Sequence, residues 1–381
     1  MIKRKLYGQI EDKLFKGRVI VLLGARRVGK STLLNFLLSG QSENYKISKF
    51  NGDDPDDVST LSGGGLDYLK SVVGEKSIVF IDEAQKLPNI GNITKLMVDH
   101  YGKTKQIILS GSSSINLLDQ TTEPLTGRKY VLNLYPLSVE EILTFQDLIA
   151  VKKRLEQILL FGLYPEVYIE SSFEEKKEIL DELTSSYLYK DILELQNIKN
   201  PNVLRDLLKA LALQVGSEVS YNELSSLLGI DKNTVLNYVD LLEKNFVVFR
   251  LGSYRTNKRR EISHGKKIYF WDLGVRNDLI NDFRDLSLRT DVGALWENFC
   301  VAERIKYQKC HKIRVNNYFW RTYDGAEIDW VEEYPDRLDG YEFKYNSYKK
   351  VRVSKTWQSK GNTNFKIVNP ENFLNSGLFV L

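Results

Sequence analysis

The sequence predicts an α/β fold: a parallel sheet wrapped by helices, then a helical domain, then a second, smaller α/β domain. Three observations carry this prediction. A short β-branched run, 18–23, leads into the glycine loop 24–32 and then into apolar residues at helical spacing. A second apolar strand, 77–81, ends in the carboxylate pair Asp82-Glu83. Further strand candidates at 46–50 and 106–110 alternate with helical stretches, the pattern of a sheet covered on both faces.

The loop Gly24-Ala25-Arg26-Arg27-Val28-Gly29-Lys30-Ser31-Thr32 fits the phosphate-binding pattern G-x-x-x-x-G-K-[ST]. Its setting between strand and helix is what that chemistry requires. Glycines let backbone N–H groups turn toward an anion, and the helix N-terminus adds positive partial charge. Lys30 would reach the β- and γ-phosphates of ATP, and the Ser31 hydroxyl would sit on Mg²⁺. Asp82 would hold the same Mg²⁺, and Glu83 would activate the attacking water.

Composition bounds the rest. At 381 residues, two or three domains are expected. An apolar share of 42% and a charged share of 27% are ordinary for a globular protein. A net charge of +4 is mild, so any nucleic-acid face must be local. Two cysteines (Cys300, Cys310) and three histidines (His100, His264, His311) do not assemble a four-ligand structural zinc site, and few cysteines suit a reducing compartment. The basic start Met1-Ile2-Lys3-Arg4-Lys5 precedes no apolar h-region, and no apolar run reaches membrane-spanning length. These features predict a cytoplasmic protein of prokaryotic style with no membrane partner.

Taken in order, the first domain occupies 1–145. Its strand at 106–110 ends in Gly111-Ser112-Ser113-Ser114. A small polar residue there can sense a γ-phosphate, which selects Ser112, with Ser110 in reserve; the serines can equally cap the next helix. The segment Asp53-Asp54-Pro55-Asp56-Asp57 reads as a solvated loop. Arg128, before the strand-like run 131–134, can be an arginine finger, a phosphate sensor within its own chain, or a surface ion-pair partner.

The second domain, 146–285, opens with helices of leucine and isoleucine spacing. Ser220-Tyr221-Asn222-Glu223 has the form of a capping box, Gly229-Ile230 turns, and Asp231 caps a second helix to about Lys244. Strands at 246–251 and 267–271 follow, a winged-helix layout. Its wing carries Arg255, Lys258, Arg259, Arg260, Lys266 and Lys267, which would suit DNA phosphates; packing between domains is the plainer alternative.

In the third domain, 286–381, Asp329 ends one strand pattern while Glu342 and Lys344 alternate on the next and share a face. Asp329 and Glu342 could hold a divalent metal, with Lys344 beside them and Glu297 on the preceding helix completing the set. A salt-bridged sheet face carries the same residues.

At this point the chain resembles the prokaryotic AAA-type P-loop ATPases whose C-terminal domain of unknown function has a restriction-endonuclease-like core. The resemblance covers nearly the whole chain. It rests on Gly24 to Thr32, Phe80-Ile81-Asp82-Glu83-Ala84-Gln85, Leu109 to Ser113, Leu125-Thr126-Gly127-Arg128, Leu134-Tyr135-Pro136-Leu137-Ser138 with Glu140-Glu141, and Gly162-Leu163-Tyr164-Pro165-Glu166. Further markers are Gly293 to Phe299, Phe319-Trp320-Arg321-Thr322, Glu327-Ile328-Asp329 and Glu342-Phe343-Lys344. The chain departs from the family at Leu163, where a second glycine is common, and at Ile328, where nuclease cores often have proline. The resemblance implies a P-loop NTPase sheet, a winged-helix middle and a nuclease-like tail. It also implies that an arginine finger can come from a neighbouring copy, which would make a homo-oligomer part of the site. The leading expectation is an ATP-binding, Mg²⁺-dependent ATPase acting as a switch or motor on DNA. The alternatives are an ATP-gated, metal-dependent DNA nuclease and a non-catalytic, nucleotide-dependent protein-binding module.

Overall fold

The computed structural model describes residues 2–112, 117, 121–188, 201–255, 265–322, 325–347 and 353–379. The chain forms two compact units. One comprises Lys3–Tyr135 with Lys244–Phe246, the other Pro136–Glu243 with Val247–Leu381.

The first unit is built on β1 (Val19–Leu23), β2 (Ile47–Asn51), β3 (Ile78–Asp82), β4 (Gln106–Gly111) and β5 (Lys129–Asn133). All neighbours pair in parallel, in the order β2-β3-β4-β1-β5. The central strands read as unbroken apolar runs because helices cover both faces: every residue of β1 and β4 is buried. The edge strands β2 and β5 are more exposed. The helix Lys30–Gln41 buries Leu33, Leu34, Leu37 and Leu38 on one stripe. Where a solvated loop was expected, Asp54 caps the helix Pro55–Ser62. Its carboxylate accepts the Asp56 N–H, and Pro55 occupies the first helical position, where no N–H is needed.

The second unit begins with short helices, from Val139–Ile142 to Phe173–Glu182, and continues with Pro201–Leu213. Gly162 is required where it stands: φ is +78° and a Cβ would meet the Asp272 carboxylate at 2.1 Å. That buried carboxylate accepts the Leu163 N–H (2.6 Å) and caps the helix Leu273–Leu279. Helices Tyr221–Leu228 and Lys232–Lys244 follow the expected boundaries. Ser220 accepts the Glu223 N–H, Gly229 ends the first helix at φ +64°, and Asp231 accepts from Asn233 and Thr234.

Seven strands form the sheet of this unit: β6 (Glu218–Val219), β7 (Val248–Ser253), β8 (Lys266–Phe270), β9 (Asn316–Arg321), β10 (Glu327–Glu333), β11 (Leu338–Phe343) and β12 (Thr363–Val368). Their order is β12-β11-β10-β9-β7-β8-β6. The β7–β8 hairpin therefore shares one sheet with the C-terminal strands, joined where Gly252 lies parallel to Tyr318. Residues 285 and 286 both lie in this unit. Trp320, Ile328, Val331, Leu338 and Trp357 form the apolar cluster on one side of the C-terminal strands. Of the expected wing cations, Lys258, Arg259 and Arg260 lie outside the described residues.

Candidate nucleotide site and a second charged cluster

The loop from Gly24 to Gly29 joins the C-terminal end of β1 to the helix Lys30–Gln41. Two backbone requirements fix it. At Gly24 a Cβ would sit 2.3 Å from the Leu134 carbonyl oxygen, and Gly29 turns the chain into the helix at φ +97°. Arg27 also adopts positive φ, at +56°, Val28 is fully buried, and Arg26 is half-buried. The Lys30 ammonium, 5% exposed, folds into the loop and donates to the carbonyls of Gly24 (2.8 Å) and Ala25 (2.9 Å).

The loop, β3 and β4 end at the same edge of the sheet, and this brings their polar side chains together. Ser31 Oγ donates to Asp82 Oδ2 at 2.7 Å, while the Ser110 hydroxyl donates to Asp82 Oδ1. Ser112 Oγ donates to Glu83 Oε2 at 3.1 Å, and the Gln85 amide donates to the same oxygen. The two serines weighed from sequence thus serve different acids: Ser110 holds Asp82 and Ser112 holds Glu83. The donor set suits Mg²⁺, because a hydroxyl and a carboxylate from separate elements already meet at bonding distance. Thr32, in the first turn of the helix, is exposed.

Sequence reasoning missed Arg4. Its guanidinium, 7% exposed, donates to Val28 O (2.8 Å) and Tyr135 O (2.6 Å), bracing the loop from outside. The signal available was only a basic residue near the chain start.

Arg128 does not join this cluster. Its carbonyl accepts the Val19 N–H at the start of β1, the sheet edge opposite the loop. Five strand residues at ~3.3 Å each separate those edges. The side chain pairs with Asp99, Nε to Oδ1 at 2.5 Å. Phosphate sensing within its own chain is therefore corrected to a surface ion pair.

Comparison with known proteins matches three successive segments of the chain. Residues 16–143 match the family described as AAA domain. This match falls mostly within the first unit. Beyond the AAA domain, residues 152–286 and 292–371 match two domains of unknown function, DUF8612 and DUF4143. An uncharacterized protein of Mycobacterium tuberculosis is 25% identical over 347 residues, covering 91% of this chain and 74% of its own. An uncharacterized protein of Methanocaldococcus jannaschii is 26% identical over 348 residues, covering 84% and 74%. Among solved structures, AMPPCP-bound DnaA from Aquifex aeolicus gives 18% identity at a TM-score of 0.29, covering 63% of this chain and 86% of that one. Drosophila ORC bound to AT-rich DNA and Cdc6 gives 11% at 0.28, covering 73% and 90%.

Outside the AAA domain, a second cluster forms on the seven-stranded sheet. With Trp330 opposite Tyr341, the register brings Asp329 toward Glu342, and Asp329 Oδ2 accepts the Phe343 N–H at 2.8 Å. Glu297 comes from the helix Val292–Cys310 and accepts from Tyr269 Oη at 2.7 Å. Lys344 Nζ reaches Glu342 Oε1 at 2.6 Å. The four residues expected from sequence thus gather in one place, and Lys267, Tyr269 and Glu327 join them. Lys267 is a correction. Expected on a DNA-facing wing, it is 2% exposed and pairs with Glu297 (2.9 Å) and Glu327 (2.6 Å). Alternation along β8 explains it: Lys266 and Lys267 point to opposite faces.

Burial, then the Asp329 charge, pushes both Glu297 and Glu342 up to about 7. Burial also raises Asp329, opposed by Lys267 and Lys344. Burial works against the Lys344 ammonium, but Asp329 and Glu342 hold it above the usual range. Glu342 Oε2 is buried without a hydrogen-bond partner among the described residues. The acids are spaced by ammonium groups rather than collapsed onto one point. Among the described residues, the trio of ligand atoms within 4.8 Å of one another is instead Glu140, Cys310 and His311. No helix among the described residues is long and apolar enough to cross a membrane.

Proposed function

We propose that this chain binds ATP with Mg²⁺ and hydrolyses it, and that the cycle works as a switch or motor on DNA. The observation that carries the proposal is the convergence of Ser31, Asp82, Glu83 and Ser112 beside the Lys30 loop. Lys30 would leave the carbonyls of Gly24 and Ala25 for the β- and γ-phosphates. Ser31 and Asp82 would hold the magnesium, which when bound offsets charge on the phosphates. Glu83, oriented by Ser112 and Gln85, would accept the proton of the attacking water. Backbone N–H groups of 24–32 would cradle the phosphate oxygens.

The experiment is a matched pair of variants. Lys30→Ala is expected to abolish the heat of ATP binding in calorimetry. Glu83→Gln is expected to keep that heat and lose turnover. Equal ATPase rates in wild type and Glu83→Gln would end the mechanism. For the DNA half, helices Tyr221–Leu228 and Lys232–Lys244 followed by the β7–β8 hairpin support a winged-helix reading, with Lys232 exposed and Lys266 half-exposed beside them. Stimulation of the ATPase by duplex DNA, weakening as salt rises, is the matching outcome.

A second reading, metal-dependent cleavage of DNA by the C-terminal cluster, is favoured by the unpartnered Glu342 oxygen among three acids whose proton affinity is raised. A divalent ion there would relieve their mutual repulsion. Plasmid incubated with Mn²⁺ is expected to be nicked by wild type and spared by Asp329→Ala. Nicking unchanged in that variant removes the reading.

A further inference from the structure

We propose that Glu140, Cys310 and His311 form a binding site for a zinc-type divalent cation, with a fourth position left to water. None of its ligands belongs to the proposed nucleotide site or to the cluster around Asp329.

Three different ligand types meet here from two places in the chain. Cys310 is the last residue of the helix Val292–Cys310, and His311 follows it as the C-cap, its N–H bonded to Tyr307 O at 2.9 Å. Glu140 lies in the first turn of the helix Val139–Ile142. That turn is tied to the long helix by Glu303, which accepts the Val139 N–H at 2.7 Å, and by Lys306, which donates to Leu137 O at 2.8 Å. The ligand atoms are thus carried by hydrogen-bonded elements rather than by mobile side chains on open surface. The Tyr307 ring packs on the imidazole at 4.3 Å between centroids and fixes its plane.

The geometry suits a tetrahedral ion. Nε2 of His311 stands 3.0 Å from each oxygen of Glu140. Nitrogen, oxygen and sulfur ligands at zinc distances are separated from one another by roughly 3.3–3.6 Å, so Glu140 and His311 part by only a few tenths of an ångström on insertion of the ion, while the Cys310 thiol, within 4.8 Å of both, closes on it. One thiolate, one imidazole and one carboxylate is a borderline-soft set that selects Zn²⁺ or Co²⁺ over Mg²⁺ or Ca²⁺. Glu140 is 8% exposed by side chain and His311 25%, so solvent retains access to the fourth position. The expectation from sequence concerned four ligands at regular spacing, and a three-ligand site does not conflict with it. Here two adjacent residues meet a glutamate 170 positions away in sequence, counted between Glu140 and Cys310. Only three side chains take part.

Cobalt tests this directly, since a thiolate bound to Co²⁺ gives a near-ultraviolet sulfur-to-metal band that carboxylates cannot produce. Untagged full-length wild type titrated with Co²⁺ is expected to develop the band, and added Zn²⁺ to bleach it. Cys310→Ser is expected to lose the band, and His311→Ala and Glu140→Gln to lose or weaken it, with far-ultraviolet dichroism and ATP binding unchanged. Cys300, the other thiol, is fully buried and supplies no alternative ligand. A folded wild type with no sulfur band overturns the site, as does a band that survives in Cys310→Ser.

Discussion

Glu83 holds its backbone at φ +46°, a conformation uncommon for any residue with a Cβ. Such strain persists only where neighbours enforce it. Gly52 is one of those neighbours. Its N–H donates to Asp82 O at 2.9 Å, and a Cβ on it would lie 2.3 Å from the Glu83 carbonyl oxygen. The residue after Asp82, the proposed magnesium ligand, is thus aimed by a glycine on an adjacent strand end. Gly52→Ala must push the Glu83 peptide aside while leaving Lys30, Ser31 and the loop untouched. The expected result is a fall in kcat of at least about ten-fold with ATP affinity preserved, since a misplacement of about 1 Å can cost far more than that. Comparing the ATP dissociation constant with the turnover rate of the variant checks it. Unchanged turnover would mean that the left-handed backbone at Glu83 is incidental.

At the scale of elements, β8 shows what pattern reading captures and what it misses. Most strand positions were legible, since apolar runs and alternation mark them directly; the two-residue β6 and the half-exposed β12 carry no such run and were not read. The convergence of Glu297, Asp329, Glu342 and Lys344 was also legible, because a period of two fixes faces. Lys267 was not. In a run of cations its neighbours argue for solvent, and only the pairing of β8 within the larger sheet turns it toward Glu297 and Glu327. The helix Pro55–Ser62 was missed for a related reason: four aspartates suggest solvation, yet Asp54 before Pro55 is a cap before a first-turn proline. The buried position of Lys267 has a measurable consequence. Removing it by Lys267→Met strands acids that its ammonium offsets, a loss of about 3–5 kcal/mol in unfolding free energy. The loss is expected to depend on pH. Glu297 and Glu342 titrate near 7 when folded and near 4.5 when unfolded, so the folded chain binds more protons in that window. Stability therefore falls as pH rises from about 5 to 7.5, and falls more steeply in the variant. Urea unfolding at pH 5.5 and pH 8 measures both; an equal loss at the two values would contradict the electrostatic origin.

For the molecule as a whole, Arg128 sets the question of assembly. Its place at the edge of the sheet opposite the loop removes it from its own nucleotide, yet its side chain is 42% exposed and held by an ion pair at the surface. Such pairs are worth under about 1 kcal/mol and open readily to a stronger anion. A neighbouring copy could present its phosphates there, and an arginine supplied between chains is worth about 10³–10⁵ in phosphoryl-transfer rate. If Arg128 works this way, each site combines Glu83 from one chain with Arg128 from the next. Arg128→Ala and Glu83→Gln would each be inactive alone. Mixed, they would form sites in which a chain with intact Glu83 meets a neighbour with intact Arg128, and activity would return in proportion to such pairs. Specific activity of wild type would also rise with protein concentration as copies assemble. Absence of recovery on mixing, with both variants still binding ATP, would confine Arg128 to its pairing with Asp99 and leave the ATPase site to a single chain.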